Sequence, residues 1–354
     1  MQDFPRIIRK LVSRKELFED EIVYALNLIL EGKASQASTA SFLVALSMKG
    51  ETADELNIMM RIIKEHAIRI TPKTSGTLID ISGTGGGQVN TFNISTASAI
   101  IASSAGARLA KHGNRSSSGI CGSADFMEQV GLNLECPIPD IVKSIEQIGF
   151  GFLYAPKFHP ALRNAASARR AIGIRTIFNI IGPLSNPCTH LSGQLIGAPD
   201  AKIIEMLALA LQQSDTENIM LVNSRDGLDE LSNTCENNIT WIRQREVEHI
   251  SLHPSDVGID LARLESLVVY SKEEAVRETL QVIYGEADGQ KQDIALINAS
   301  AALVIAKSAS NFREGIDLAR DAISDGRAQK KLSDYIRRCG RIQVLEEMEK
   351  RFLR

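Results

Sequence analysis

The stretch Asp80-Ile81-Ser82-Gly83-Thr84-Gly85-Gly86-Gly87-Gln88-Val89-Asn90-Thr91-Phe92-Asn93-Ile94-Ser95-Thr96 and its continuation Lys111-His112-Gly113-Asn114-Arg115-Ser116-Ser117-Ser118-Gly119-Ile120-Cys121-Gly122-Ser123 decide the fold. Each follows an apolar run of strand length, Leu78 to Ile81 and Ala107 to Ala110, and precedes a helix-like run. Glycine lets backbone N–H groups reach an anion where a Cβ would intrude, and the open amides of a helix start add favourable partial charge. The second loop adds full charge through Lys111 and Arg115. Neither loop is a common nucleotide motif: GxGxxG fails at Gln88, and no Gly-Lys-Ser/Thr closes a Walker A loop. Two such loops close in sequence, one of them cationic, point to one phosphate-bearing ligand.

Downstream, strand-like and helix-like runs keep alternating, with Ile219 to Val222 and Ser266 to Tyr270 the clearest further strands, which is α/β patterning. The small-residue run Thr96 to Ala105 reads as a helix packed close to a sheet. Upstream, residues 1–72 read as helices only, with Gly32 and Gly50 at helix ends and Thr52 with Glu55 at capping-box spacing. The expected fold is therefore a small all-helical N-terminal domain and a larger α/β domain with a central sheet, the active site in the cleft between them. Residues 137–172 return to helix-like spacing and are expected to complete the helical domain. The α/β domain then takes 73–136 and 173–335, and 336–354 form a charged C-terminal helical extension. The helical domain leaves an apolar face that either pairs two copies or packs on the rest of the chain.

Composition fits an ordinary enzyme. The chain has 354 residues, 44% of them hydrophobic, more than one core usually holds. A net charge of -3 and a pI near 6.1 give no footprint for nucleic acid or an anionic membrane. No signal peptide or spanning segment is read, so the cytoplasm is the expected location. Five cysteines without a CxxC pair argue against a disulfide framework or a zinc site.

A third motif, Asp226-Gly227-Leu228-Asp229-Glu230, follows the strand-like Ile219 to Val222. In α/β sheets ligands gather beyond the carboxyl ends of strands, so all three motifs can converge. Carboxylates beside a phosphate repel it unless a divalent cation lies between, and hard oxygen donors favour Mg²⁺. Taken alone, Asp229 and Glu230 would be a solvated turn; beside the glycine loops they read as metal ligands on an accessible loop. No GxSxG elbow or HExxH pair is present, and His112 is a candidate proton carrier or hydrogen-bond donor.

Taken together, GTGGG…NTFNIST, KHGNRSSS…GSAD, FHPALR…ARRAIGIRTIFNIIGPLSNP and DGLDEL closely resemble the anthranilate phosphoribosyltransferase family, over about residues 5–330. The resemblance implies transfer of the phosphoribosyl group of phosphoribosyl pyrophosphate (PRPP) to the amine of anthranilate in tryptophan biosynthesis, with two Mg²⁺ ions per monomer and a homodimer through the helical domains. It also implies roles. Gly83, Gly86, Gly87, Thr91, Asn93, Ile94, Ser95 and Thr96 bind the pyrophosphate and ribose; Lys111, His112, Gly113, Asn114, Arg115, Ser116, Ser117, Ser118, Gly119 and Ser123 form the second cradle. Ser95, Asp229 and Glu230 hold the metal, whereas Gly83, Asn114, Arg169, His159, Gly182 and Pro183 face anthranilate. No dedicated acid or base is implied. Guanidinium-carboxylate chemistry suits Arg169, with Arg163 and Arg170 as alternatives. Departures are Gly87 where the family usually has Asp, Arg225 close to the acids, and a tail past the usual family end. Rival readings are a pyrimidine nucleoside phosphorylase-like enzyme, which lacks a magnesium Asp-Glu pair, and a non-catalytic nucleic-acid-binding relative, which the charge and intact loops oppose.

Overall fold

The structure, a computed structural model, describes residues 3–87, 89–116 and 119–353. Helices α1 (Phe4–Val12), α2 (Glu19–Leu30), α3 (Gln36–Lys49) and α4 (Ala53–Glu65) come first. Thr52 and Glu55 form the expected capping box, and Gly50 ends α3 at φ 85°. The buried Glu55 carboxylate also accepts from the Leu17 amide and pairs with Lys49 at 2.7 Å, tying α3, α4 and the α1–α2 link together.

The second part alternates β1 (Leu78–Gly83), α5 (Ile94–Ser104), β2 (Arg108–Gly113), α6 (Ser123–Gln129), α7 (Ile138–Gln147) and β3 (Phe150–Tyr154). Three helices follow, α8 (Ala155–Phe158), α9 (Arg163–Ile172) and α10 (Ile177–Leu184), then β4 (Gly193–Gly197), α11 (Ala201–Leu211), β5 (Asn218–Ser224), β6 (Asn237–Arg243) and β7 (Glu246–Leu252). Helices α12 (Lys272–Tyr284), α13 (Gly289–Ile305), α14 (Phe312–Ser324), α15 (Arg327–Cys339) and α16 (Ile342–Phe352) finish the chain. Among the described residues, seven strands run β3-β2-β1-β4-β5-β6-β7, parallel from β3 to β5 and antiparallel beyond. The chain moves outward from β1 through β2 to β3, then returns to place β4 on the other side of β1. The crevice between β1 and β4 is thus a switch point, where ligands bind in such sheets.

One core joins the first four helices to α10, α11 and one face of the sheet through Phe42, Leu56, Ile181, Leu207 and Leu221, while the other packs α5 and α13 on the opposite face. Small residues let α5 sit close, as expected, with Ser98 Oγ donating to Ala295 O of α13 at 3.0 Å. Among the described residues no helix is long and apolar enough to cross a membrane.

Three expectations change. The run Ser266 to Tyr270 is not a strand: Leu264–Leu267 is a 3-10 turn, and Val268 only bridges Thr91. Its backbone runs beside the end of the first glycine loop, with Val269 N–H donating to Asn90 O at 2.9 Å, a destination that alternation cannot distinguish from a sheet. Residues 137–172 divide: α7 and β3 belong to the α/β part, and α9 packs on α3 and α2. The Phe150-Gly-Phe-Leu-Tyr run is apolar throughout, so periodicity leaves helix and strand equivalent. The charged tail is two helices broken at Gly340, where a Cβ would lie 2.2 Å from Gly131 O.

Candidate active site

The first glycine loop is built around Asp229. A Cβ on Gly83 would lie 2.1 Å from Asp229 Oδ2, and one on Gly197 would lie 1.6 Å from Asp229 O, so β1 and β4 both end in glycine because the acid loop crosses them. The turn continues through Gly85 and Gly86 at φ 65° and 87°, and Gly85 N–H donates to Asp229 Oδ2 at 2.7 Å. Asn93 begins α5 without a side-chain cap; its Nδ2 instead donates to Cys121 O of the second loop at 3.0 Å. The start of α5 therefore has no side-chain cap. Ile94 and Thr96 have buried side chains, and their amides donate to Phe92 O at 2.8 Å and Asn93 O at 3.0 Å, so they shape the helix start that a ligand would meet. Thr91 bridges Val268. Gln88 lies outside the described residues.

Ser95 Oγ donates to Glu230 Oε1 at 3.1 Å. Burial raises the Asp229 and Glu230 carboxyls, and the charge of Asp229 pushes Glu230 further up. The pair is half-buried on the loop after β5, two crowded carboxyls whose joint ionisation a cation between them would favour. Ser95, Asp229 and Glu230 are hard oxygen donors and fit Mg²⁺; among the described residues no cluster of three or more His, Cys, Asp or Glu completes a cage, which leaves room for phosphate oxygens and water. Asp226 holds the loop by accepting from Ser224 Oγ and Ser232 Oγ at 2.6 Å, Thr234 Oγ1 at 2.5 Å and Leu228 N at 3.1 Å. Arg225 is committed elsewhere, pairing with Glu236 at 2.5 Å.

The second loop differs from a simple cationic cradle. Lys111 is buried and donates to Ile81 O at 2.6 Å, so its charge lies behind the loop, facing Asp80. Burial lifts Asp80 to about 6, against the opposing pull of Lys111, and its Oδ1 accepts the His112 amide at 3.0 Å. Arg115 grips Glu128 at 2.7 and 2.8 Å and reaches Asp125 at 3.2 Å. Asp125 also accepts from Ser116 N, Gly122 N and Lys272 Nζ at 3.0, 2.9 and 2.9 Å and so organises the turn. Asn114 Oδ1 accepts from Arg115 N, Asn114 O accepts from Ser123 Oγ, and Ser116 Oγ donates to Gly119 O. A Gly113 Cβ would strike Ser123 Oγ at 2.4 Å. Ser117 and Ser118 lie outside the described residues.

Toward the helical layer, His112 Nδ1–H donates to Gly182 O at 3.1 Å, and the His159 ring stands 5.1 Å from that of His112. Burial lowers His112 to about 3 and His159 to about 4, which favours the neutral rings at pH 7, and the contact His112 makes is the hydrogen bond to Gly182 O. Pro183 O accepts Gln194 Nε2. Arg169 lies 5.3 Å over the ring of Phe178, which is one turn before Gly182, and has no acidic partner among the described residues. Burial lowers its pKa, whereas Arg163 and Arg170 are exposed. Sequence reasoning missed Arg175, whose Nη2 donates to Thr84 O at 3.1 Å, and the organisers Asp125 and Lys272. The one signal for Arg175 was a cation just before a helix start beside Gly173.

Residues 5–67 match the glycosyl transferase family, helical bundle domain, and residues 75–329 the glycosyl transferase family, a/b domain. An anthranilate phosphoribosyltransferase of Acetivibrio thermocellus is 41% identical, over 94% of this chain and 95% of that one. The crystal structure of anthranilate phosphoribosyltransferase from Thermus thermophilus superposes with a TM-score of 0.86 at 33% identity, covering 96% of this chain and 99% of that one. The Saccharomyces cerevisiae enzyme in complex with PRPP and Mg gives 0.85 at 25% identity, covering 97% and 98%. The extent of these matches, through both parts of the fold, shows that the chain belongs to the anthranilate phosphoribosyltransferase family.

Proposed function

We propose that this chain joins anthranilate to PRPP, giving N-(5-phosphoribosyl)anthranilate and pyrophosphate for tryptophan biosynthesis. The observation that carries the reading is the convergence of the first glycine loop, the uncapped start of α5 and the Asp229-Glu230 pair at the β1/β4 crevice. The C1′–O bond to pyrophosphate breaks with its electron pair going to oxygen, the aniline nitrogen forms the C1′–N bond, and its surplus proton passes to solvent. An uncharged aryl amine needs no strong base, so positioning and charge neutralisation suffice. Mg²⁺, when bound by Ser95, Asp229 and Glu230, neutralises the leaving group, and two ions per monomer are the expected number. Gly83, Gly86, Gly87, Thr91, Asn93, Ile94, Ser95 and Thr96 cradle pyrophosphate and ribose. Arg169, desolvated and without an acid of its own, receives the anthranilate carboxylate, with Asn114, His112, His159, Gly182 and Pro183 around the ring.

The enzyme is a cytoplasmic homodimer in this reading, paired through the helical layer, where Phe18, Val23, Tyr24 and Leu28 surround an open hollow on α2. The test is loss of anthranilate fluorescence, which is expected to require both PRPP and Mg²⁺. Unchanged anthranilate together with phosphate-dependent cleavage of pyrimidine nucleosides would transfer the chain to the phosphorylase reading.

A further inference from the structure

We propose that Arg175 is the side chain that binds the departing pyrophosphate, an inference that rests on the phosphoribosyl transfer reading above. Arg175 lies in the link between α9 and α10, after Gly173 at φ 65° and directly before Thr176, which begins α10. Its carbonyl accepts Ser47 Oγ at 3.5 Å from the last turn of α3, so the link belongs mechanically to the helical wall of the cleft. Its side chain crosses to the opposite wall. Nη2 donates to Thr84 O at 3.1 Å, and Nη1 stands 1.6 Å from where a Gly86 Cβ would be. The absence of a side chain at Gly86 is thus what admits the guanidinium. On the other side of the same turn, Gly85 N–H donates to Asp229 Oδ2. Guanidinium and carboxylates therefore flank one glycine turn.

Other cations beside the loops are already committed. Lys111 is buried on Ile81 O, Arg115 is held by Glu128 and Asp125, and Lys272 is held by Asp125. Among the described residues Arg175 has one hydrogen-bond acceptor, the neutral Thr84 O, and its charge acts on Asp229 only at a distance, without a salt bridge; it is exposed, so exchanging Thr84 O for phosphate oxygens breaks no direct ion pair. A planar fork of N–H donors matches two phosphate oxygens at once and balances the charge they gain as the C1′–O bond breaks.

Arg175→Gln and Arg175→Lys test this. The readouts are pyrophosphate affinity in the presence of Mg²⁺ by titration calorimetry, kcat, the anthranilate KM and thermal stability. Arg175→Gln is expected to weaken pyrophosphate binding and lower kcat, each about tenfold or more, with anthranilate KM and Tm unchanged. Arg175→Lys recovers part of the affinity, since it keeps the charge and loses the fork. A purely structural role would instead lower Tm and move both substrates. Wild-type pyrophosphate affinity in Arg175→Gln, with the wild type active, would overturn the proposal. A wild type that neither binds pyrophosphate nor consumes anthranilate would overturn the reading of the site on which it rests.

Discussion

The hydroxyl of Tyr335 accepts the amide of Phe152 at 2.9 Å, closing the outer edge of β3 with a side chain from the C-terminal helices. As the last strand on its side, β3 would otherwise bury an unpaired N–H. The Tyr335 ring meets Phe150 edge-on at 5.0 Å, and the Phe152 ring would lie 2.6 Å from a Cβ on Gly113, the first glycine of the second loop. The C-terminal helices thus support the floor of the site without reaching it. Tyr335→Phe should lower unfolding free energy by about 1–3 kcal/mol, the cost of orphaning a buried donor. A denaturant midpoint identical to wild type would show that the edge is satisfied another way.

Gly87 stands where the family usually has Asp. A Cβ there would lie 3.3 Å from Gly227 O and 3.8 Å from Asp229 Oδ1, so Gly87→Asp brings a third carboxylate toward the acid pair at the cost of a small local shift. The variant is expected to make turnover more sensitive to high Mg²⁺ by adding a carboxylate able to hold a further cation beside the acid pair. Rates across a Mg²⁺ series decide it, and superimposable profiles would end the idea.

Arg169→Ala should raise the anthranilate KM about tenfold or more and leave the PRPP KM nearly unchanged, since it removes one charge-assisted contact at a partly desolvated site. Arg163→Ala and Arg170→Ala, on exposed side chains, should change neither. An unchanged anthranilate KM in the Arg169 variant, with a rise in one of the others, reassigns the carboxylate contact.

Burial raises the Asp125 carboxyl, but the Ser116 amide, Lys272 and the Gly122 amide outweigh it and hold the group down at about 2. Its folded value lies below the ordinary 3.8, so the ionised form contributes stability above about pH 4 that is lost as pH falls through about 2. Asp125→Asn is therefore expected to lower Tm at pH 7, with the gap from wild type closing between about pH 4 and pH 2. Calorimetry at stepped pH tests this, and a gap that stays constant to about pH 2 would assign the effect to shape rather than charge.

The motifs were legible because their chemistry is local. A run of glycines after an apolar strand, a cationic glycine-serine loop and an Asp-Glu pair each state their requirement within a few residues, and the resemblance supplied the substrate. The side-chain directions were not legible. Lys111 is read from sequence as part of the phosphate cradle, yet β2 is covered on both faces and its ammonium turns to Ile81 O; Arg115 is read as free charge, yet α6 brings Asp125 and Glu128 to it. Ser266 to Tyr270 and Phe150 to Tyr154 are both short apolar runs, and only packing sends the first across a loop and the second to the sheet edge.

By itself, then, the order of residues determined the α/β class, the helical preface, the two glycine loops and the acids that accompany them, since these depend on period, backbone freedom and charge within short windows. Tertiary structure decided what no window contains. It set Asp229 against Gly83 and Gly197, Ser95 against Glu230, Arg175 over Gly86 and Tyr335 on Phe152, because each of these contacts joins residues far apart in the chain through the crossing that places β4 beside β1 and the return of the last helices to β3.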